Sequence, residues 1–472
     1  MTEAKRINWS KIIGGIIGII IGFAIANIPA PAGLSPQAMW GIGIFSWAVV
    51  WWIADVLSDF GTGLLMCCAW AAFKVVPFSI AFASFSTSTI WIIVGALGLG
   101  VAATKSGLLN RVALITMSKF PLTFGGQVLA LLSAGLVLTP FIPSGTAKAA
   151  VLAPFARSIC DNMGYANKSP GATGLFNALF VTTGLAYPIF LSGNFLCYAI
   201  LGLLPKDVQA QITWGTWFIN ALPWGLTMLV LSYFAIVVLY KPKETKPMSS
   251  GFITERLENL GPLTKHEIIT GVVLIIALIL WMTERMHGIE SAVVACVATI
   301  VLITFGVFDR NAFRANIAWD AIIFIGALIN VSGVFKTLKI DAWIGKALAP
   351  YLSPLVSGNI FLFIILLCLI IYVVRVVLVS QLATAAILIL VLTPFSIQAG
   401  ISPWVTAFVI FVAVNVWYTF YQNASFLVAY YATGGDMVEH RHTIKMCVVY
   451  MAVSLLGLLV SVPVWKMTGL IR

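Results

Sequence analysis

Ser144, Thr146 and Lys148 stand together in Ser144-Gly145-Thr146-Ala147-Lys148-Ala149-Ala150, and an altered copy, Ser380-Gln381-Leu382-Ala383-Thr384-Ala385-Ala386, follows 236 residues later in a chain of 472. Hydroxyls, amides and an amine among small residues suit hydrogen bonding to an anion and neutralising it. A second polar pair interrupts other apolar stretches: Phe190-Leu191-Ser192-Gly193-Asn194-Phe195 resembles Phe420-Tyr421-Gln422-Asn423-Ala424, with Asn194 and Asn423 offset by 229 residues. A third match sets Ile93-Val94-Gly95-Ala96-Leu97 against Phe324-Ile325-Gly326-Ala327-Leu328 at an offset of 231. Three collinear matches point to two related halves rather than to small-residue helix packing alone.

The elements that position these residues must lie in a bilayer. Hydrophobic residues are 61% of the chain and charged ones 9%, against roughly a quarter charged in soluble domains. Apolar spans of about 20 residues are predicted to begin near Ile12, Ala38, Gly61, Ile90, Gly171, Thr216, Ile268, Ser291, Asp320, Pro403 and Met446. The first follows Lys5, Arg6 and Lys11 and is read as an uncleaved helix rather than a signal peptide. Each polar motif precedes a proline-interrupted run, Ala153-Pro154-Phe155 or Thr393-Pro394-Phe395, which predicts a discontinuous or re-entrant element.

The fold class expected is therefore an all-α polytopic membrane protein. About eleven transmembrane helices and two re-entrant hairpins are arranged as an inverted repeat, since five crossings plus a hairpin leave the second half upside down. The expected divisions are 1–37 (first helix and loop), 38–239 (first repeat, hairpin around 127–158), 240–267 (hydrophilic linker) and 268–472 (second repeat, hairpin around 360–397). Basic, amphipathic stretches at 103–120 and 333–348 are expected along the interface. The net charge of +11 is spread over short loops, which reports orientation rather than nucleic-acid binding. With Lys5, Arg6, Lys11, Lys105, Arg111, Lys119, Lys241, Lys243, Lys246, Arg256, Lys265, Arg310, Arg314, Arg441 and Lys445 inside, the N-terminus is cytoplasmic and the C-terminus outside the cell membrane.

These residues resemble the divalent anion/sodium symporter family, which includes the INDY-type dicarboxylate carriers and the bacterial citrate/succinate and tartrate/succinate antiporters. Its signature is a duplicated Ser-Asn-Thr, commonly followed by Ala-Thr-Ala-Ala; here Ser380 and Ala383-Thr384-Ala385-Ala386 match in one copy, and Ser144, Thr146, Ala147, Ala149 and Ala150 in the other. The resemblance implies a homodimer with scaffold and elevator-like transport domains, and C4-dicarboxylates, 2-oxoglutarate, tartrate, citrate or, in some branches, sulfate as substrates. It implies a site from Ser144, Gly145, Thr146, Ser380, Gln381, Thr384, Gly193, Asn194 and Asn423. Gly145 and Gln381 replace the signature asparagines, Leu382 the second threonine and Lys148 a usual threonine, which puts sodium binding in doubt. Lys148 and Arg375 are then expected as tethered positive charges in an antiporter of the exchanger branch. The alternatives are a sodium-coupled symporter and, more remotely, a membrane-embedded enzyme.

Other motifs carry less. Seven scattered cysteines suggest no disulfide framework. Glu439 with His440 and His442 reads as a loop cluster rather than a metal site, and Asp55 with Asp59 lacks the further carboxylates that a Mg²⁺-dependent lipid enzyme would need. Most of the sixteen tryptophans sit at predicted span ends, as interfacial anchors do. No phosphate loop, Cys-x-x-Cys pair or nucleophile elbow occurs, so no enzyme activity, catalytic residue, metal or cofactor is expected; lipid and a carboxylate solute are the expected partners.

Overall fold

A computed structural model of the chain describes residues 9–244, 251–347, 350 and 359–471. Lys5, Arg6, Lys246 and Leu348, invoked above, lie outside the described residues, as does part of the linker. Among the described residues the regular structure is helical, apart from the isolated bridge between Ile401 and Ile471. The main helices are α1 (Trp9–Ala26), α2 (Pro36–Ile53), α3 (Asp59–Ala72), α4 (Ser88–Lys105), α5 (Leu108–Met117), α6 (Phe124–Leu138), α7 (Gly145–Asn162), α8 (Pro170–Phe180) and α9 (Phe195–Gly202). They continue as α10 (Trp214–Leu239), α11 (Lys265–Met282), α12 (Ser291–Thr304), α13 (Trp319–Thr337), α14 (Ile360–Val377), α15 (Gln381–Gln398), α16 (Pro403–Ala413), α17 (Ala424–Ala432) and α18 (His440–Met467).

All eleven predicted spans fall on these helices, but length and composition select a different set. Nine stretches among the described residues are long and apolar enough to cross a membrane, and three of them, Phe124–Phe141, Ile360–Val377 and Gln381–Gln398, belong to the pairs predicted as re-entrant. Conversely α3 and α12 have 14 residues and α16 has 11. A helix of 14 residues reaches only about 21 Å, short of a hydrocarbon core of about 30 Å, and α16 is continued past a break by α17. Pro154 and Pro394 do not end their helices, as the sequence suggested; each lies inside a continuous one. A mid-helix proline removes one N–H and frees one carbonyl, which kinks a helix more readily than it stops a well-packed one.

The helices sort into two packed sets. In the first, α1 packs on α2, α2 on α3, α3 on α13, α4 on α12 and α11 on α12. In the second, α6 and α7 pack on α8, α7 on α17, α10 on α18, and α14 and α15 on α16. Each half of the chain contributes to both sets. The linker face is fixed by Tyr240 donating from its hydroxyl to His442 O (3.2 Å) and Arg256 donating to Ser158 Oγ (2.8 Å). At the opposite face Ser402 N donates to Leu470 O (2.7 Å), and a cleft of about 500 Å³ lies between α13 and α15, lined by Ser84, Thr87, Lys206, Asn330 and Gln398.

One buried ion pair locks the linker to both halves. Arg111 on α5 donates from Nε to Glu267 Oε1 (2.7 Å) and caps the carbonyls of Leu260, Gly261 and Pro262. Glu267 also completes a capping box with Thr264 at the start of α11. Removing one member of a buried pair strands the other charge, at a cost of about 3–5 kcal/mol. Arg111→Met is therefore expected to lower the melting temperature of the detergent-purified protein, and Arg111→Met/Glu267→Gln to recover part of it. An unchanged melting temperature in the single variant would show that the pair does not hold the linker.

Candidate functional site

Ser144 opens α7 as its N-cap, its Oγ accepting from Ala147 N (3.2 Å) and lying 2.9 Å from Thr146 Oγ1. The same geometry recurs at the two helix breaks. After α8 the chain passes through a π turn at Val181–Leu185 and two tight turns, and Asn194 then caps α9, its Oδ1 accepting from Leu196 N (3.1 Å). After α16, Asn423 caps α17 by accepting from Phe426 N (3.1 Å). Asx caps satisfy one of the orphan N–H groups at each new helix start.

These starts converge on Gly145. A Cβ there would collide with Ser425 Oγ, lie 2.6 Å from Thr183 O and sit 3.4 Å from Asn194 Nδ2. Phe195 N donates to Pro143 O (2.9 Å), pinning the tip against α9. Three helix N-termini, of α7, α9 and α17, thus meet at one point. Each carries a partial positive charge, which favours an anion at the meeting point, although Phe195 N, Leu196 N and Cys197 N at the start of α9 already donate to Pro143 O, Asn194 Oδ1 and Asn194 O.

Two cations are sealed into the same region. Lys148 is 0% exposed and its Nζ donates to Thr139 Oγ1 (3.2 Å) and Gly193 O (3.0 Å). Arg375 is also 0% exposed; it caps the carbonyl of Leu378, that of Val379 (2.5 Å) and that of Val416 (3.3 Å), and its Nε is left without an acceptor. Gln422 Nε2 donates back to Arg375 O (3.1 Å). Among the described residues neither cation lies within ion-pair distance of a carboxylate.

The predicted residues of the second hairpin divide. Gln381 Nε2 donates to Asn415 Oδ1 (3.2 Å), which also accepts from Tyr187 OH (3.1 Å), so this residue is tied to the first-half break. Ser380 caps α15 and its Oγ lies 3.4 Å from Asp59 Oδ2. The buried Thr384 hydroxyl donates to Ser380 O (2.7 Å), inside its own helix. Thr139, Tyr187, Asn415 and Ser425 were not singled out by sequence. The repeat offset would have found one pair, because Tyr187 and Asn415 are 228 residues apart and bond to each other across the halves. Among the described residues no three His, Cys, Asp or Glu gather as a metal cluster; Asp55 pairs with Lys11 and Glu439 with Arg441, each at 2.7 Å.

This arrangement has relatives. Residues 9–471 match the model of the sodium:sulfate symporter transmembrane region family. The chain belongs to this family. It is the one whose resemblance the duplicated motif carries. YflS of Bacillus subtilis, provisionally named a malate transporter, is 27% identical over 74% of this chain and 75% of its own. The inner membrane protein YbhI of Escherichia coli is 28% identical over 77% of each chain. The chloroplastic dicarboxylate transporter 1 of Spinacia oleracea is 26% identical over 70% of this chain and 59% of its own. The crystal structure of the Alcanivorax borkumensis YdaH transporter shares the fold, with a TM-score of 0.55 at 15% identity, covering 98% of this chain and 97% of that one. The family member described here is a multi-pass membrane protein.

The close approach at Gly145 is testable. Gly145→Ala forces α7 away from Ser425, and overpacking of this kind costs about 1–3 kcal/mol, expected as a lowered melting temperature in detergent. Gly215→Ala, where a Cβ meets nothing within 4 Å, is expected to leave it unchanged.

Proposed function

We propose that the chain is a secondary transporter that exchanges dicarboxylates across the plasma membrane without sodium. C4-dicarboxylates, tartrate among them, and 2-oxoglutarate are the proposed substrates, with citrate as a further one. The names of the Bacillus and spinach relatives support the substrate class. The observation that carries the exchange mode is that Lys148 and Arg375 are buried and, among the described residues, bonded to neutral acceptors. Holding a charge out of water costs several kcal/mol even after relaxation, so a mobile counter-anion lowers the cost of any step that carries these buried charges past the other helices.

A dianion meets that requirement. Its carboxylates accept from the N-terminal N–H groups of α7 and α17, from the Ser144, Thr146 and Ser380 hydroxyls and from the Asn194 and Asn423 amides. The substrate's two charges offset those of Lys148 and Arg375, and the loaded site becomes near-neutral. In an elevator scheme the second helix set, carrying both tips, slides past the first, which is the scaffold and homodimer platform. Loaded, it crosses easily. Empty, it drags two uncompensated cations through a low-dielectric barrier, so net transport is slow and exchange is fast. The proposed repeats are 38–239 and 268–472, joined by the linker 240–267, with the linker face and N-terminus cytoplasmic and the C-terminus outside.

The first test is counterflow in proteoliposomes: labelled succinate uptake with and without internal succinate, malate, 2-oxoglutarate or citrate, at zero and saturating sodium. Uptake that needs an internal dicarboxylate and ignores sodium is expected; sodium-driven uptake into empty vesicles would make the protein a symporter. Lys148→Thr is expected to abolish exchange or render it sodium-responsive, and wild-type rates would remove its charge from the mechanism. Ser144→Ala and Ser380→Ala are each expected to weaken succinate binding by about 1–3 kcal/mol, the cost of an acceptor losing its donor; unchanged affinity in both would place the site elsewhere.

A further inference from the structure

Asp59 is a carboxylate with no cation partner among the described residues, whereas Asp55, one turn earlier, pairs with Lys11. It is the first residue of α3, which belongs to the scaffold set through α2 and α13, and its carbonyl accepts from Trp52 Nε1 (3.2 Å). Its side chain leaves that set. Oδ2 reaches the tip of the second hairpin, 3.4 Å from Ser380 Oγ, at the N-terminal end of the 18-residue helix α15. The segment beyond α3 lines the cleft on the face opposite the linker through Ser84 and Thr87, as do Thr393 and Gln398 at the far end of α15. The tip of α15 and Asp59 therefore meet at the linker-side end of the scaffold.

We propose that Asp59 is a built-in competitor of the substrate, a scaffold carboxylate that occupies the Ser380 hydroxyl and the N-terminal end of α15 until a substrate carboxylate displaces it. The inference rests on the carrier reading above and adds a state-dependent ligand to it. A serine hydroxyl has one proton and donates to one acceptor at a time, so Ser380 cannot serve Asp59 and a substrate together. A carboxylate at a helix N-terminus is stabilised by the aligned peptide dipoles, and two carboxylates crowded there repel. The two occupants exclude each other on both counts.

The consequence is directional. An empty carrier with buried Lys148 and Arg375 finds a fixed anion at the linker-side limit of its travel, where Asp59 stands. Asp59 holds the unloaded tip there, and substrate binding both neutralises the cations and releases the latch. Net return of the empty carrier is suppressed twice, by uncovered charge and by this contact.

Asp59→Asn keeps the shape and removes the charge. In purified protein its succinate affinity is expected to tighten by roughly two- to fivefold, the range of a charge at a helix N-terminus, and in proteoliposomes succinate uptake into vesicles lacking internal substrate is expected to rise. Unchanged affinity and unchanged empty-vesicle uptake would overturn the inference while leaving wild-type exchange, and so the carrier reading, intact. Absence of exchange in the unmodified protein would overturn both. A cross-link makes the test independent of how the Asp59 variant folds. A Cβ at Gly202 on α9, which touches α15 and α16 of the second set, lies 2.6 Å from Ile329 Cδ1 on α13 of the first, so a Gly202→Cys/Ile329→Cys cross-link reports the spacing of α9 and α13 in this conformation. Succinate is expected to slow that cross-link in a protein that retains Asp59, and a rate indifferent to succinate would overturn the latch.

Discussion

The structure turns on two buried positive charges that, among the described residues, have no carboxylate within ion-pair distance. A buried cation accepts only partners that bring negative potential, and the partners at hand are carbonyls that regular helices have already used. Carbonyls become free where a helix stops. Lys148 therefore reaches 45 residues along the chain to Gly193 O, and Arg375 reaches 41 residues to Val416 O. In each half the cation on the hairpin is bonded to the break in the following span. The breaks and the cations need one another, which accounts for irregular backbone at a depth where an unsatisfied carbonyl or N–H is costly.

Neither half completes a site alone. Packing is exchanged between them: α3 lies on α13 and α4 on α12, while α10 pairs with its counterpart α18. The polar contacts follow the same rule. Tyr187 of the first break donates to Asn415 of the second, and Ser425 of the second crowds Gly145 of the first. The small residues let backbones approach, and the helix N-termini are brought together only by that approach.

Much of this was legible in the residues. Caps are local, so Ser144, Asn194, Ser380 and Asn423 could be placed at special positions from motif and offset alone, and each does cap a helix. Proline was misleading for the same reason that caps were informative. Sequence shows the lost N–H of Pro154 and Pro394, but not the surrounding helices that keep the kinked segments continuous. Partners were the least legible part. Ser425 against Gly145, or Asp59 against Ser380, joins positions hundreds of residues apart, and their side chains are ordinary in type. The sequence set the Asp55 and Asp59 pair aside as a metal site, and three-dimensional packing sends the two carboxylates to different partners.

The two cations are not equivalent, and their chemistry says how they divide the work. Arginine presents five N–H donors in a rigid fork, and Arg375 spends its terminal nitrogens on three carbonyls at the tip and the break. That geometry makes it a bracket: its charge is felt by an anion, while its position is set by backbone on both sides. Lysine presents three donors on a flexible stem, and Lys148 uses them on one hydroxyl and one carbonyl, Thr139 Oγ1 and Gly193 O. One donor remains for a ligand, and both existing bonds are to neutral acceptors that a carboxylate outcompetes. An ammonium held in this way is less constrained than the guanidinium. The first half thus holds the less constrained cation and the second half the more constrained one, an asymmetry set by the choice of lysine at one position and arginine at the other.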